Sequence, residues 1–207
     1  MSRESLIKYW KNSGLITDKR LLDAFMQVPR EKFVHKYQSD GAYSDNAMPV
    51  SHGQTISQPT TVMIMIQALE LKKSDNVLEI GAGTGYNAAL MSKLAGKVIA
   101  IEIIPELAEF AKKNLDKVGI KNVKVINEDG STGYLEEALF DKIIITAACP
   151  KIPKPLIDQL CEKGIIVAPV GNRVSQKMIK GIKVNNELKI NDLGDFVFVP
   201  LKGKYGF

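Results

Sequence analysis

Residues 77–87 constrain the fold of this chain more than any other stretch. An apolar run that contains one acid, Glu79, ends in three glycines at alternate positions, Gly81, Gly83 and Gly85, and a helical pattern follows. A strand that enters a helix through such a turn lets backbone N–H groups approach a ligand that side chains would block. The sequence therefore predicts a βαβ unit with a ligand site at its first turn.

The form of this turn narrows the class of ligand. Its glycines follow a GxGxG pattern, whereas most dinucleotide sites have GxGxxG. An acid within the strand, Glu79, repels a pyrophosphate but suits a cationic α-amino group. Two further acids end later strands: Glu102 can accept both ribose hydroxyls, and Asp129, followed by Gly130, can meet an adenine amino group. Glu102 would also serve a dinucleotide, so the other residues are the ones that favour S-adenosylmethionine.

Strands and helices alternate from residue 77 onward. Short apolar strands separated by amphipathic helices are typical of a doubly wound, mostly parallel α/β sheet of Rossmann-like type. The predicted strands are residues 77–80, 97–101, 123–126, 142–146 and 165–169. The predicted helices between them are residues 87–94, 105–118 and 156–162.

The two ends of the chain differ from this core. Helices are predicted before it at residues 3–11, 18–27 (with Thr17 as N-cap) and 59–69. An antiparallel edge is predicted after it, with breaks at Asn185-Asn186 and Gly194, from strands at residues 178–184, 187–190 and 196–201. We expect one domain over residues 1–207, consisting of N-terminal helices with a loop, an α/β core and a C-terminal β edge, at residues 1–70, 71–171 and 172–207.

Composition is that of an ordinary globular protein, 45% hydrophobic and 25% charged. The longest apolar runs are too short to span a bilayer, and the N-terminus lacks the apolar segment of a secretory signal, so we expect a cytoplasmic protein. The two cysteines, Cys149 and Cys161, have no CxxC spacing and no adjacent histidine, so no metal site is expected. A net charge of +5 would attract an anionic substrate, whether carboxylate or nucleic acid.

Motifs on both sides of the glycine turn resemble the protein-L-isoaspartate (D-aspartate) O-methyltransferase family. The most specific is GQTISQP at residues 53–59, a polar segment that enters a predicted helix. The resemblance runs from about residue 20 to the C-terminus. It is also carried by VPREKF at residues 28–33, DKIIITAA at 141–148, PVG at 169–171 and FVPL at 198–201.

The resemblance implies an S-adenosylmethionine-dependent methyltransferase fold and a specific enzyme activity. The family methylates the α-carboxylate of L-isoaspartyl residues in damaged proteins, leaving S-adenosylhomocysteine. The ester then collapses to a succinimide, which can hydrolyse to normal aspartate. By resemblance, residues 54–57 form a loop over cofactor and substrate, with Ser57 at the active-site serine position. The resemblance, together with the glycine turn and the strand-end acids, implies these cofactor-binding residues: Gln54, Thr55, Ile56, Ser57, Glu79, Gly81, Gly83, Gly85, Glu102, Asp129 and Gly130.

Methyl transfer to a carboxylate requires alignment more than a strong base. With a pKa near ~4 the acceptor is already ionised at neutral pH, so positioning and the exclusion of water lower the barrier. Ser57 is expected to orient one carboxylate oxygen while the other attacks; its alternative role is to cap the helix that follows. The family pattern changes at Thr60 and Ser51-His52, and these changes are expected to act on substrate affinity.

Two other functions stay open from the residues. A pI near 9.0 permits an RNA or small-molecule methyltransferase, but no alternation of aromatic and basic residues marks a stacking surface for nucleic acid. A non-catalytic protein that binds the cofactor is the second alternative. We expect isoaspartyl proteins and peptides as partners, no nucleic-acid or membrane partner, and a monomer as the default state.

Overall fold

A seven-stranded sheet forms the centre of the protein, and a computed structural model describes all 207 residues. The helices are α1 (Arg3–Ser13), α2 (Lys19–Gln27), α3 (Pro59–Ala68), α4 (Tyr86–Ser92), α5 (Pro105–Lys117) and α6 (Lys154–Asp158). The strands are β1 (Met48–Pro49), β2 (Thr55–Ile56), β3 (Asn76–Ile80), β4 (Lys97–Ile101), β5 (Val123–Ile126), β6 (Phe140–Ile145), β7 (Leu160–Gly171), β8 (Gln176–Val184) and β9 (Glu187–Phe196). None of the helices has the length and apolar character needed to cross a bilayer.

The strand order of the sheet is β5-β4-β3-β6-β7-β8-β9, while β1 and β2 form a separate small ribbon. The first five strands of that order run parallel, and β8 and β9 add an antiparallel edge. The chain leaves β3 towards β4 and β5 and returns on the other side as β6. Open α/β sheets bind ligands beyond the carboxyl ends of their strands at such a reversal. The predicted doubly wound, mostly parallel fold is confirmed.

Alternate residues of the central strands enter two separate cores. Val77 and Val98 belong to a cluster of 40 buried residues to which helices α1 to α5 contribute. Leu78 and Ile99 point to the opposite face and belong to a cluster of 15 that includes α6. Because both faces of these strands are buried, their sequences are mainly apolar instead of alternating between apolar and polar residues, and Glu79 is an exception within β3.

Several helix boundaries differ from the prediction by one or more residues, and two of these differences have a clear origin in hydrogen bonding. The N-cap of α2 is Asp18, whose carboxylate accepts the N–H of Arg20 at 2.9 Å, whereas the N–H of Thr17 donates to the side chain of Gln67. The helix predicted over residues 156–162 is wrong in its second half, since α6 ends at Asp158. The chain turns there into β7, which reaches back far enough to pair with the first residue of β6.

The β8–β9 hairpin turns at Asn185-Asn186, as the sequence predicts. Both asparagines have positive φ, 52° and 65°, a conformation that this residue tolerates better than most and that two-residue hairpins require. Gly194 does not end a strand as predicted. It lies inside β9 with a φ of 106°, near a shift in the register between β8 and β9.

The strand predicted over residues 196–201 is wrong, because β9 ends at Phe196. The chain then crosses the carboxyl edge of the sheet. Ala148 exchanges two backbone hydrogen bonds with the residues on either side of Pro200. A ladder cannot continue through Pro200, which has no N–H. The consequence is that the C-terminal segment covers the end of the sheet where a ligand site is expected.

Candidate functional site

An open cavity lies at the carboxyl ends of β3, β4 and β6, where open α/β sheets bind their ligands. Its walls come from residues 54–57, the glycine turn after β3, the segment that joins β4 to α5, and residues 199–202 of the C-terminal segment. The cavity therefore occupies the point where the strand order reverses.

Nine of the eleven predicted site residues line this cavity: Gln54, Thr55, Ile56, Ser57, Glu79, Gly81, Gly83, Glu102 and Gly130. The other two, Gly85 and Asp129, are not part of its lining. Gly85 is the N-cap of α4 with a φ of 84°, and a Cβ there would lie 3.3 Å from the backbone of Ala111 in α5. This third glycine allows close packing of α4 on α5, and its assignment to the cofactor stays a prediction.

Asp129 is bonded to the C-terminal segment. Its Oδ2 accepts the backbone N–H of Lys204 at 2.8 Å, and its Oδ1 accepts the N–H of Ser131 at 2.9 Å. Partial burial by itself raises the pKa of the Asp129 carboxyl, but these bonds outweigh it and bring the pKa below its usual range. The carboxylate thus has a structural task in this protein, and its contact with an adenine amino group stays a prediction.

The carboxylate of Glu79 has no partner. The residue has no exposed surface, and neither carboxylate oxygen has a hydrogen-bond donor. Burial raises the pKa of this carboxyl well above its usual range, and the negative charge of Glu102 raises it further. A buried carboxylate is unfavourable unless a proton or a cation neutralises it. The α-amino group of S-adenosylmethionine is a cation with N–H donors, so Glu79 fits that cofactor.

Glu102 connects the glycine turn to the start of α5. Its Oε2 accepts the N–H of Gly83 at 2.8 Å and its Oε1 accepts the N–H of Ile104 at 3.0 Å. Each carboxylate oxygen has a second lone pair, so the side chain is fixed in place and can still accept hydroxyl donors. Its position in the cavity wall is therefore compatible with a ribose.

Thr146 is a cavity residue that our sequence reasoning did not identify as part of the site. It follows β6, and its Oγ1 lies 2.6 Å from the carbonyl oxygen of Gly81. A Cβ on Gly81 would come within 2.6 Å of the same hydroxyl, and Gly81 has a φ of +93°. The sequence signal that could have identified Thr146 is its position at the end of a central strand, within the DKIIITAA motif.

Ser57 does not cap the helix that follows it. Gln58 occupies the N-cap position of α3, and no side chain forms a capping bond there. The alternative role of Ser57 is therefore wrong, and its hydroxyl belongs to a residue of the cavity wall. The catalytic role of Ser57 stays a prediction.

The two departures from the family pattern have structural partners. Thr60 donates through its N–H and its hydroxyl to the Asp45 carboxylate, at 2.9 and 2.6 Å, and accepts the indole N–H of Trp10 at 2.8 Å. His52, with a φ of 60°, has its Nε2 3.7 Å from a carboxylate oxygen of Glu106 in α5. Thr60 thus anchors α3 to the N-terminal helices, and His52 brings the loop close to the start of α5.

No group of three or more His, Cys, Asp or Glu side chains is arranged to hold a metal ion. The cavity is lined by carboxylates, hydroxyls, backbone groups and apolar side chains.

Known proteins share both the sequence and this architecture. The family model described as protein-L-isoaspartate(D-aspartate) O-methyltransferase (PCMT) matches residues 1–206. A protein-L-isoaspartate O-methyltransferase of Methanosarcina mazei is 47% identical over 199 residues, covering 94% of this chain and 81% of that protein. One of Methanoculleus marisnigri is 43% identical over 205 residues, covering 99% and 93%.

A solved structure gives the corresponding result for the fold. A Plasmodium falciparum crystal structure, described as a protein-L-isoaspartate O-methyltransferase in complex with S-adenosyl-L-homocysteine, has a TM-score of 0.84 and 27% identity, covering 98% of this chain and 99% of that one. The full-length match to the family model and the identity to its curated members agree with the cavity and its residues. The chain belongs to the protein-L-isoaspartate (D-aspartate) O-methyltransferase family.

Proposed function

We propose that this protein transfers the methyl group of S-adenosylmethionine to the α-carboxylate of L-isoaspartyl residues in damaged proteins and peptides. Family membership supports the reaction and its substrate class. Within this chain, the observation that carries the cofactor assignment is the buried, unpartnered carboxylate of Glu79 in the cavity wall.

Each wall of the cavity has its own part in holding the cofactor. When bound, S-adenosylmethionine supplies a methyl group on a sulfonium sulfur, which is open to in-line displacement. Glu79 would hold the cationic α-amino group, and Glu102 would accept the ribose hydroxyls. Gly81 and Gly83 lack side chains that would keep the backbone from the ligand. The apolar residues after β4, Ile103, Ile104 and Leu107, would exclude water.

The acceptor needs orientation because its carboxylate is already charged at neutral pH. The hydroxyl of Ser57 would donate to one carboxylate oxygen and leave the other free to attack the methyl carbon. The C-terminal segment forms the opposite wall, where Lys202 adds a positive charge that attracts an anionic acceptor. No general base is required, so alignment and water exclusion by these walls lower the barrier.

The replacement of Ser57 by alanine tests this assignment. A hydrogen bond to a charged group contributes about 1.5–3 kcal/mol, so we expect kcat with an isoaspartyl peptide to fall about 10- to 150-fold in the Ser57→Ala variant. The affinity for S-adenosylhomocysteine, measured by calorimetry, should stay within about twofold, since that bond is made to the acceptor. Ser51→Ala, in the same loop but outside the cavity wall, is the matched control. An unchanged kcat, or equal losses of kcat and cofactor affinity in a folded variant, would contradict the assignment.

We further propose that the whole chain acts as one methyltransferase domain, as a cytoplasmic monomer with no nucleic-acid or membrane partner. Cys149 and Cys161 are unpaired, which fits a reducing compartment. Burial raises the pKa of the Cys149 thiol to about 12, so it stays protonated at neutral pH. Light scattering of the purified protein tests the monomer, and a mass of twice 22.8 kDa would contradict it.

A further inference from the structure

Arg30 is a buried cation at the back of the cavity wall. Its side chain has no exposed surface, although it carries a charge. Its hydrogen bonds go to backbone carbonyl groups instead of carboxylates: Nε donates to Ala42 at 2.7 Å, and Nη2 donates to Ser57 at 2.7 Å. The Nη1 group has no hydrogen-bond partner in the protein. A buried charge without an ionic partner destabilises the folded state. Stability by itself therefore does not account for an arginine at this position.

The guanidinium group joins parts of the chain that meet at the cavity. One of its carbonyl acceptors belongs to Ser57, and its central carbon lies 4.8 Å from the centroid of the Tyr86 ring. Ser57 and Tyr86 both line the cavity, the first from the loop and the second from the start of α4. Arg30 itself is not part of the lining. Arg30 can therefore affect the cavity only through the lining residues that it contacts.

Apart from Arg30, the loop that carries Ser57 is fixed by a short ribbon, by a bond from the Val50 N–H to the Gln54 carbonyl at 2.9 Å, and by the buried side chain of Ile56. Its ribbon of β1 and β2 has two residue pairs, Met48 with Ile56 and Pro49 with Thr55. The turn between these strands contains two consecutive residues with positive φ, His52 at 60° and Gly53 at 67°. Within this segment, the bond from Arg30 holds the backbone of the residue whose hydroxyl faces the cavity.

We propose that Arg30 is a positioning residue: through the carbonyl of Ser57 it holds the loop of residues 54–57 against the cavity that these residues line. The inference rests on the proposed function, since it names what aligns the Ser57 hydroxyl with the acceptor carboxylate. Arginine suits this task because its planar group has donors in fixed directions and stacks on an aromatic ring. A lysine has one flexible ammonium group and cannot serve both carbonyls in the same geometry.

The test compares Arg30→Lys with Arg20→Lys. Arg20 is the control because it also donates to a backbone carbonyl, that of Leu71 at 3.1 Å, and its other partner is the Asp18 carboxylate, so it contacts neither the loop nor Arg30. Two quantities are measured: kcat with an isoaspartyl peptide, and hydrogen exchange of the amides of residues 54–57 in the complex with S-adenosylhomocysteine. Thermal melting and the affinity for S-adenosylhomocysteine are recorded for each variant.

For Arg30→Lys we expect kcat to fall to about one tenth of the wild-type value or below, and the loop amides to exchange about tenfold faster than in wild type. The affinity for S-adenosylhomocysteine should stay within about twofold of wild type. Arg20→Lys should change none of the three. Wild-type kcat and loop exchange in Arg30→Lys would overturn the proposal. So would a parallel loss of affinity, kcat and exchange protection throughout the chain, since that pattern indicates a purely structural role.

A second variant protects the test against a folding failure. Arg30→Gln removes the buried charge and retains an amide donor for one carbonyl, and the same results are expected of it. If neither variant folds, Arg30 is a structural residue and the proposal is overturned. If the wild-type protein does not methylate the isoaspartyl peptide, the proposed function fails, and the exchange rates of residues 54–57 still decide whether Arg30 holds the loop.

Discussion

The replacement of Glu79 by glutamine should have opposite effects on stability and on cofactor binding. Glu79 is fully buried and neither of its oxygens has a donor. Leaving a buried polar group unsatisfied costs about 1–3 kcal/mol, and more when the group is charged. A glutamine at this position also lacks partners, so the replacement removes only the additional cost of the charge. Where the carboxyl is ionised, Glu79→Gln without cofactor should therefore melt above wild type, by roughly 2–4 °C for each kcal/mol of that additional cost.

The pH dependence of this difference has a definite sign. Burial raises the pKa of Glu79 in the folded protein above that of the unfolded chain, so the folded state holds the proton more tightly. The stability linked to this proton is present at low pH and is lost as the pH rises through the raised pKa. The Glu79→Gln variant does not show this loss of stability, because a glutamine side chain does not titrate. The variant's advantage in melting temperature should thus be smallest near pH 5 and grow towards pH 9.

Cofactor affinity should change in the opposite direction. The ammonium group of S-adenosylhomocysteine loses a charged hydrogen-bond partner in Glu79→Gln, which costs about 1.5–3 kcal/mol and weakens binding about 10- to 150-fold. Calorimetry measures the affinity, and Glu109→Gln, an exposed acid of α5 that pairs with Lys112, is the control that should bind like wild type. Affinity within twofold of wild type, or a variant that melts lower at every pH, would refute the role of Glu79.

Three further substitutions test the geometry of the cavity and its supports. Gly81→Ala combines a φ of +93° with a Cβ 2.6 Å from the Thr146 hydroxyl, so we expect a loss of about 1–3 kcal/mol and weaker cofactor binding; wild-type melting and affinity would contradict this. Thr60→Val removes the hydroxyl bond to Asp45 and should lower the free energy of unfolding in urea by about 1–3 kcal/mol, against no change if that bond is dispensable. Asp129→Ala should expose the C-terminal segment to proteolysis, and an unaltered cleavage rate would show that its bond to the segment is unimportant.

The core strands could be predicted because their surroundings are uniform. The strands at 97–101 and 123–126 have the predicted bounds, since each is a short, mainly apolar run bordered by polar residues or glycine. The position of Glu79 was informative for the same reason. An acid in a strand that is otherwise apolar is unfavourable there, and the structure shows the cavity that accounts for it.

Segments whose structure depends on distant partners could not be predicted locally. Residues 160–162 continue a helical pattern in the sequence, but pairing with β6 makes them part of a strand. Residues 197–201 have the composition of a strand, but they meet Ala148 at one isolated bridge and otherwise cover the cavity. In both cases the decisive hydrogen bonds come from residues that local patterns do not indicate.

The same limit applies to the site. The sequence spacing predicts that Asp129 contacts the adenine. In the structure its carboxylate accepts the backbone N–H of Lys204, which is 75 positions away. The contact between Arg30 and Ser57 spans 27 positions, and sequence alone presents Arg30 only as part of a motif. Residue types at strand ends can be predicted to share a cavity because parallel strands end together. Which of their atoms stay free is determined by the segments that pack against them.

The measurement that tests the central claim most directly is transfer of labelled methyl from S-adenosylmethionine to an isoaspartyl peptide and to its normal aspartyl twin. We expect label on the isoaspartyl peptide alone, released by mild base as a methyl ester should be. No transfer to either peptide by a protein that binds the cofactor, or equal transfer to both, would contradict the account.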